Sequence, residues 1–224
     1  MIKNISNLGD AALYCDFGTE VNKQINSEVI KYFNTIKEKN IEGINNLTPS
    51  YNKLIISYDL RVTNFKEIKD KIEKLNVEEA LKTHSKNLEI PVCCDALFSL
   101  DMERLEKKLS LTKEKILENF FNKEFFCYMT GFIAGMPFLG DLDENMRAQR
   151  LETPRVKVPK GSVGITEQFA DIYTFESPGG WNIIGNTPLE VFDSSKEKDP
   201  NLINPGDTVK FKQITLEEYK NYNE

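Results

Sequence analysis

The residues best equipped for chemistry fall in the second half of this 224-residue chain. Four glycine- and proline-rich strings, GFIAGMPFLGDLD, TPRVKVPKGSVGI, ESPGGWNIIGNTP and NPGDTVKF, lie there between Gly131 and Phe211. In the second string, Arg155, Lys157 and Lys160 could set cations beside a phosphoryl group or a substrate carboxylate, and an arginine fork can hold either at two points. A strand alternates its side chains, so Arg155 and Lys157 would share one face while Val156 and Val158 point to the other. A plain solvated strand face is the competing account of the same residues. In the third string, Pro178-Gly179-Gly180 could aim bare backbone N–H groups at an anion or an amide carbonyl, against the alternative of a tight turn before a strand. Asp141, Asp143 and Glu144 could supply a base or a metal ligand, but an acidic turn with solvated charges accounts for them as well.

Other chemistries lack their parts. The one histidine, His84, sits in the polar stretch KTHSKN, which leaves neither a Ser/His/Asp triad nor a three-histidine metal site. There is no G-x-S-x-G elbow and no Walker loop, since Lys160-Gly161-Ser162 lacks the upstream glycine. Cys15, Cys93, Cys94 and Cys127 show no C-x-x-C spacing, which predicts reduced, mostly buried thiols and no protein-held zinc. A net charge of -6 disfavours nucleic-acid partners. No apolar run approaches the roughly 20 residues that span a bilayer, and the opening MIKNISNLGDAALYCDFG lacks a basic-then-apolar leader. The expectation is a cytoplasmic protein without nucleic-acid or membrane partners.

The elements that must position these residues divide in two, because nine of the twelve glycines and seven of the nine prolines lie at or beyond Gly131. Before that point, Ala12 to Phe17 alternates, and Ile25, Val29, Phe33 and Ile36 have helical spacing. A strand at Lys53 to Tyr58 follows, and then a second helical stripe through Phe65, Ile68, Ile72 and Leu75. With Ile41 to Leu47 extended and a strand at Leu88 to Val92, the order would be β-α-β-β-α-β, that of a ferredoxin-like α/β sandwich. A helical insert comes next, near residues 101–122. Met102, Leu105 and Leu109 share one face, Thr112 serves as N-cap, and Leu111 and Ile116 are placed as a hydrophobic staple. From Glu124 onward, FFCYM, VKV, SVGI, DIYTF, WNII, LEVF and TVKF read as short strands between turns, which predicts an antiparallel β-barrel. The expected class is α+β, with domains at 1–87 and 88–224.

Taken in order, LGDAALYCDFG, TPSYNKLIISYD and the four barrel strings resemble one family over essentially the whole chain. It is the family shared by the B-type subunit of 5-oxoprolinase, the kinase inhibitor KipI and allophanate hydrolase subunit 1, of the carboxyltransferase subdomain C/D type. The resemblance implies a ferredoxin-like domain followed by a cyclophilin-like β-barrel. It further implies that the chain pairs with a C-type cyclophilin-like subunit and an A-type subunit to open 5-oxo-L-proline to L-glutamate, with ATP as cosubstrate and a metal accompanying it if one is used. The alternatives are an inhibitor that binds a sensor histidine kinase and a divergent amide or allophanate hydrolase subunit. A cyclophilin-like prolyl isomerase would rest on fold analogy alone.

Motif by motif, the resemblance carries over Arg155 and Lys160 as anion holders in catalysis. As substrate- or nucleotide-binding positions it carries over Gly131, Phe132, Gly135, Pro154, Pro159, Gly161, Ser162, Pro178, Gly179, Gly180 and Trp181, with Leu139, Gly185, Thr187 and Pro188 completing the motifs. The chain departs from the pattern where Phe120 replaces a histidine, Ala134-Gly135-Met136 replaces P-G-F, and Gln149-Arg150 replaces P-R. Phe169-Ala170-Asp171 likewise replaces Gln-Thr-Gly, and Asn186 replaces an arginine.

Overall fold

The computed structural model describes residues 1–77 and 85–222, so His84 lies outside the described residues. The chain forms two compact units, Met1–His84 and Ser85–Glu224.

The first unit runs β1 (Asn4–Asn7), β2 (Ala12–Asp16), α1 (Lys23–Lys39), β3 (Ile44–Pro49), β4 (Lys53–Tyr58) and α2 (Phe65–Glu73). Its antiparallel sheet has the order β1-β2-β4-β3. Period-two alternation places Leu13 and Cys15 of β2 and Leu54 and Ile56 of β4 in one core, where they meet Val29 and Ile36 of α1 and Ile68 and Ile72 of α2. Asn22 starts α1 by accepting from Ile25 N at 2.9 Å, and Asn64 caps α2 from Glu67 N at 3.1 Å. Asn40, at φ 42°, ends α1 in the left-handed conformation that asparagine tolerates.

The β-α-β-β-α-β order expected of a ferredoxin-like sandwich is replaced here by β-β-α-β-β-α. The edge beside β2 is taken by β1, whose Ile5 joins the core. The strand expected to complete the first sheet instead lies in β5 (Asn87–Cys93) of the second unit. Its Ile90–Cys93 stretch is buried throughout, which suits a barrel wall better than a half-solvated edge.

The second unit continues with α3 (Met102–Leu109), α4 (Lys113–Phe121), β6 (Glu124–Thr130), β7 (Pro137–Gly140) and a 3-10 turn at Glu144–Met146. Then come β8 (Arg155–Val158), β9 (Ser162–Thr166), β10 (Phe169–Ile172), β11 (Ser177–Gly179), β12 (Asn182–Asn186), β13 (Thr208–Ile214) and α5 (Leu216–Asn221). Seven strands close a barrel in the order β10-β7-β6-β13-β5-β12-β9. The barrel is not wholly antiparallel, because β13 and β5 pair in parallel from Thr208↔Asn87 to Ile214↔Cys93. VKV falls outside the barrel, in a separate two-stranded ribbon of β8 and β11. LEVF forms no strand, only a single bridge between Phe192 and Asn201.

Phe125, Cys127, Leu139, Val163, Ile165, Ala170, Ile172 and Phe211 fill the barrel core, and Met102, Leu105, Ile116 and Phe120 of the helical insert pack on it. Phe120 stacks on Phe211 at 4.8 Å, so the family's histidine position is here part of the apolar core. Thr112 caps α4 by accepting from Lys115 N, with Leu111 and Ile116 both in the same core. All four cysteines are free and buried, and burial pushes the Cys15 and Cys94 thiols up to about 12.

Candidate functional site

Along β10, Ala170 and Ile172 enter the barrel core, so Asp171 between them points to the other face of the wall. On that face Met136, Val158, Tyr173 and Ile183 form a second, smaller cluster flanked by Ile133 and Trp181. Three of the four glycine-rich strings meet there: the β6–β7 loop, β8, and β11 with Trp181.

The ribbon's register decides which side chains reach this layer. Ser177 pairs with Val158 and Gly179 with Arg155, which is two steps along β11 against three along β8. The extra residue makes a β-bulge and breaks the alternation of β8. Arg155 and Val158 therefore both turn inward. Val156, 81% exposed, and Lys157 turn to solvent, where Lys157 Nζ pairs with Glu176 Oε1 at 2.8 Å. The shared face of Arg155 and Lys157 read from simple alternation does not form.

Arg155 is held from below. Its Nη2 donates to Asp101 Oδ1 at 2.6 Å, and Asp101 is 4% exposed at the head of α3. The other Asp101 oxygen accepts from Ile183 N at 2.7 Å, and Asp101 N donates to Ile183 O at 3.0 Å. One carboxylate thus ties α3, β12 and the guanidinium together with charge-assisted hydrogen bonds.

Around that anchor, Arg155 Nη1, Asp171 Oδ2 and Ser177 Oγ are buried without a hydrogen-bond partner among the described residues, and Tyr173 Oη is buried beside the Trp181 backbone N–H. Tyr173 Oη lies directly under Gly179, where a β-carbon would collide with it, so the close approach requires glycine at that position. Gly164 makes the same allowance for Asp171, whose Oδ1 accepts from Gly164 N at 3.0 Å. Burial drives the Asp171 carboxyl well above the ordinary carboxylate range, and the Gly164 N–H offsets only part of this. Burial also raises the Tyr173 hydroxyl, with a smaller push from Asp171. The neighbouring Trp181 N–H and Arg155 oppose that rise.

The other residues singled out in the sequence fall into two groups. Pro154 packs against Gly180, whose carbonyl accepts from Leu151 N at 2.7 Å, and the Trp181 ring stands edge-on to Phe138 at 5.6 Å. With Arg155, Pro178 and Gly179 they form one locus. Gly131, Phe132 and Gly135 lie in the β6–β7 loop at its flank; Phe132 projects into solvent at φ 69°, and Gly135 sits against the Phe192 ring.

Pro159, Lys160, Gly161 and Ser162 make the turn and strand entry after β8. Lys160 Nζ pairs with Glu190 at 2.6 Å on the surface, and Asn186 Nδ2 holds the Lys160 carbonyl at 2.9 Å. At about 3.3 Å of rise per residue, β8 puts roughly 13 Å between Arg155 and Pro159 at the start of that turn. The structure does not bring the two cations together.

Elsewhere, Asp141 accepts from Tyr128 Oη at 2.8 Å and Asp143 pairs with Lys123 at 2.5 Å. Among the described residues, no cluster of His, Cys, Asp or Glu is placed to hold a metal ion, and no helix is long and apolar enough to cross a membrane. Phe169 packs edge-on to Tyr128, and Asn186 accepts from Tyr219 Oη at 2.7 Å, which latches α5. Sequence reading passed over Asp101, Tyr173 and Ser177 as site residues. Asp101 has the look of an ordinary helix start, and only the fold carries Tyr173 under a glycine.

Fold and site together define an α+β protein with a closed seven-stranded barrel and a polar locus on the outer side of its wall. The chain belongs to the carboxyltransferase domain family, subdomain C and D, whose model matches residues 3–203. It is 34% identical over 98% of its length to a Bacillus subtilis protein named as the B-type subunit of 5-oxoprolinase, of which it covers 96%. It is 32% identical over 93% of its length to a Haemophilus influenzae protein of the same name, again covering 96%. Among solved structures, that of TTHA0988 superposes with a TM-score of 0.82 at 27% identity, covering 91% of this chain and 40% of that one. The Kluyveromyces lactis urea amidolyase shares the fold at a TM-score of 0.77 and 20% identity, over 96% of this chain and 15% of that one.

Proposed function

We propose that this chain is the B-type subunit of an ATP-dependent 5-oxoprolinase, acting in the cytoplasm with A-type and C-type subunits. The observation that carries this reading is the near end-to-end match to proteins named as that subunit. The proposed reaction is 5-oxo-L-proline plus ATP and water to L-glutamate, ADP and phosphate. An unstrained lactam resists water. Transfer of the ATP γ-phosphoryl group to the amide oxygen makes the carbon electrophilic and releases ADP. Water then adds to that carbon, the ring C–N bond breaks with a proton delivered to nitrogen to leave a γ-glutamyl phosphate, and a second water cleaves that acyl phosphate to the glutamate carboxylate and phosphate.

Within such a complex this chain supplies oriented donors. Arg155 suits that role because Asp101 fixes one side of its fork and leaves the other side for a ligand. Lys160, on a surface ion pair it can exchange, is assigned to the nucleotide phosphates.

Coexpression with A-type and C-type partners, copurification, and an assay of ATP-dependent glutamate release test the proposal, with Arg155→Ala as control. Turnover that is lost in the control supports it. A stable complex that releases no glutamate, or the absence of any complex, overturns it.

A further inference from the structure

We infer that the solvent face of α3 is a docking surface for an acidic face of a partner subunit. One stripe of this helix, Met102, Leu105 and Leu109, packs on the barrel core. On the other side Leu100, Glu103, Arg104, Lys107 and Lys108 recur at helical spacing and line an open groove of about 560 Å³. Three cations against one carboxylate leave that groove at +2, on a chain whose net charge is -6.

These charges are not cancelled within the fold. Lys115 of α4 meets Glu118 at 3.0 Å, whereas neither Lys107 nor Lys108 has an ion-pair partner among the described residues. Arg104 is half-buried and directs its guanidinium to neutral oxygens, the Asn182 side-chain carbonyl and the Gln149 backbone carbonyl at 3.3 Å. Its position is thereby fixed and its charge kept. The helix dipole alone favours lysine in a last turn, but it gives no reason for Leu100 at 47% exposure or, three residues earlier, Leu97 at 66%.

The shape of the groove decides the kind of occupant. Every lining residue belongs to α3 or the turn just before it, which would leave a small ligand covered on one side only, where small-molecule sites enclose most of the ligand. A protein surface covers such a face from outside. A second copy of this chain would approach at net -6 against -6, so long-range repulsion disfavours it. An acidic patch with an apolar centre matches both the uncancelled charge and the exposed leucines. Resting on the function proposed above, the partner is a further subunit of the same complex.

The test is titration of the full-length chain with A-type and C-type partners, each separately and across a range of salt. Lys107→Gln/Lys108→Gln is expected to weaken one of these complexes at least tenfold at physiological salt and to flatten its salt dependence, while the melting temperature of the chain alone holds. Leu100→Ser is expected to weaken the same complex severalfold. Lys37→Gln/Lys39→Gln, which removes the same charge from the last turn of α1, is expected to leave affinity within twofold. Unchanged affinity in the Lys107/Lys108 pair, or equal weakening by the α1 pair, overturns the docking surface. ATP binding to the chain alone that the Lys107/Lys108 pair abolishes would give the groove to a nucleotide and overturn it too, as would a salt-sensitive dimer of the chain that the same pair dissolves. No complex with either partner overturns the subunit reading and the surface with it. A complex weakened as expected that releases no glutamate would sink the 5-oxoprolinase reading and leave the surface standing.

Discussion

Adjacent residues of β10 live in opposite surroundings. Ala170 and Ile172 face a barrel core in which apolar groups meet only one another, while Asp171, and Tyr173 just beyond the strand, face a layer where buried polar atoms go without partners. The two sides of one wall divide the work of the molecule. The inner side supplies burial, worth about 25 cal/mol per Å² of apolar surface, and the outer side holds polar groups whose burial costs energy unless they are hydrogen-bonded. A stability gradient across the wall should follow, and substitutions can test it from either side.

The largest losses should come where the core or its buried ion pair is broken. Phe120→Ala removes a ring stacked between Phe211 and Phe125 and should cost about 3–5 kcal/mol in denaturant melts. Asp101→Ala should cost a similar amount, about 3–5 kcal/mol, because it strands a mostly buried guanidinium and frees Ile183 N. A loss under about 1 kcal/mol for Asp101→Ala would mean that Arg155 is solvated and the outer layer is open. A middle effect is expected at Asn186, which joins the Lys160 carbonyl to Tyr219. Asn186→Ala should cost about 1–3 kcal/mol and loosen α5, visible as faster amide exchange over 216–221.

Asp171 sharpens the contrast through pH. Its folded-state pKa is raised, so between the unfolded value near 4 and that raised value the unfolded chain binds fewer protons than the folded one. Its contribution to stability is present below about pH 4 and is lost as pH rises toward the folded value. Asp171→Asn, which can still accept from Gly164 N, should flatten that slope and stabilise the protein at neutral pH, as read by melting temperature against pH. The smallest effect belongs to Tyr173→Phe, which deletes one buried hydroxyl beside the Trp181 backbone N–H and should cost no more than about 1 kcal/mol. A clear loss of stability there would show that the outer layer is ordinary structure.

Much of this was legible because it depends on local patterning. The stripes of α1 and α2, the Thr112 cap, strand Lys53–Tyr58, the helical insert and most barrel strands follow from periodicity and from turn residues placed nearby in the chain. The family match was legible from the order of the glycine-rich strings. Pairing was not. Leu88 to Val92 is extended in either sheet, and nothing within those residues says that β13, more than a hundred positions away, will be its parallel neighbour. Likewise, LEVF has strand composition but no partner strand to pair with.

The sequence by itself determined most of the elements, the α+β class, the family and the presence of Arg155, Gly179 and Gly180 in motifs worth testing. Only the tertiary structure decided that Arg155 turns inward to Asp101 while Lys157 turns out, and that Tyr173 and Ser177 join it. The reason is the bulge in β8. Side-chain direction along a strand has a period of two only while each residue has its own partner, and one extra residue opposite β11 reverses the faces from that point on.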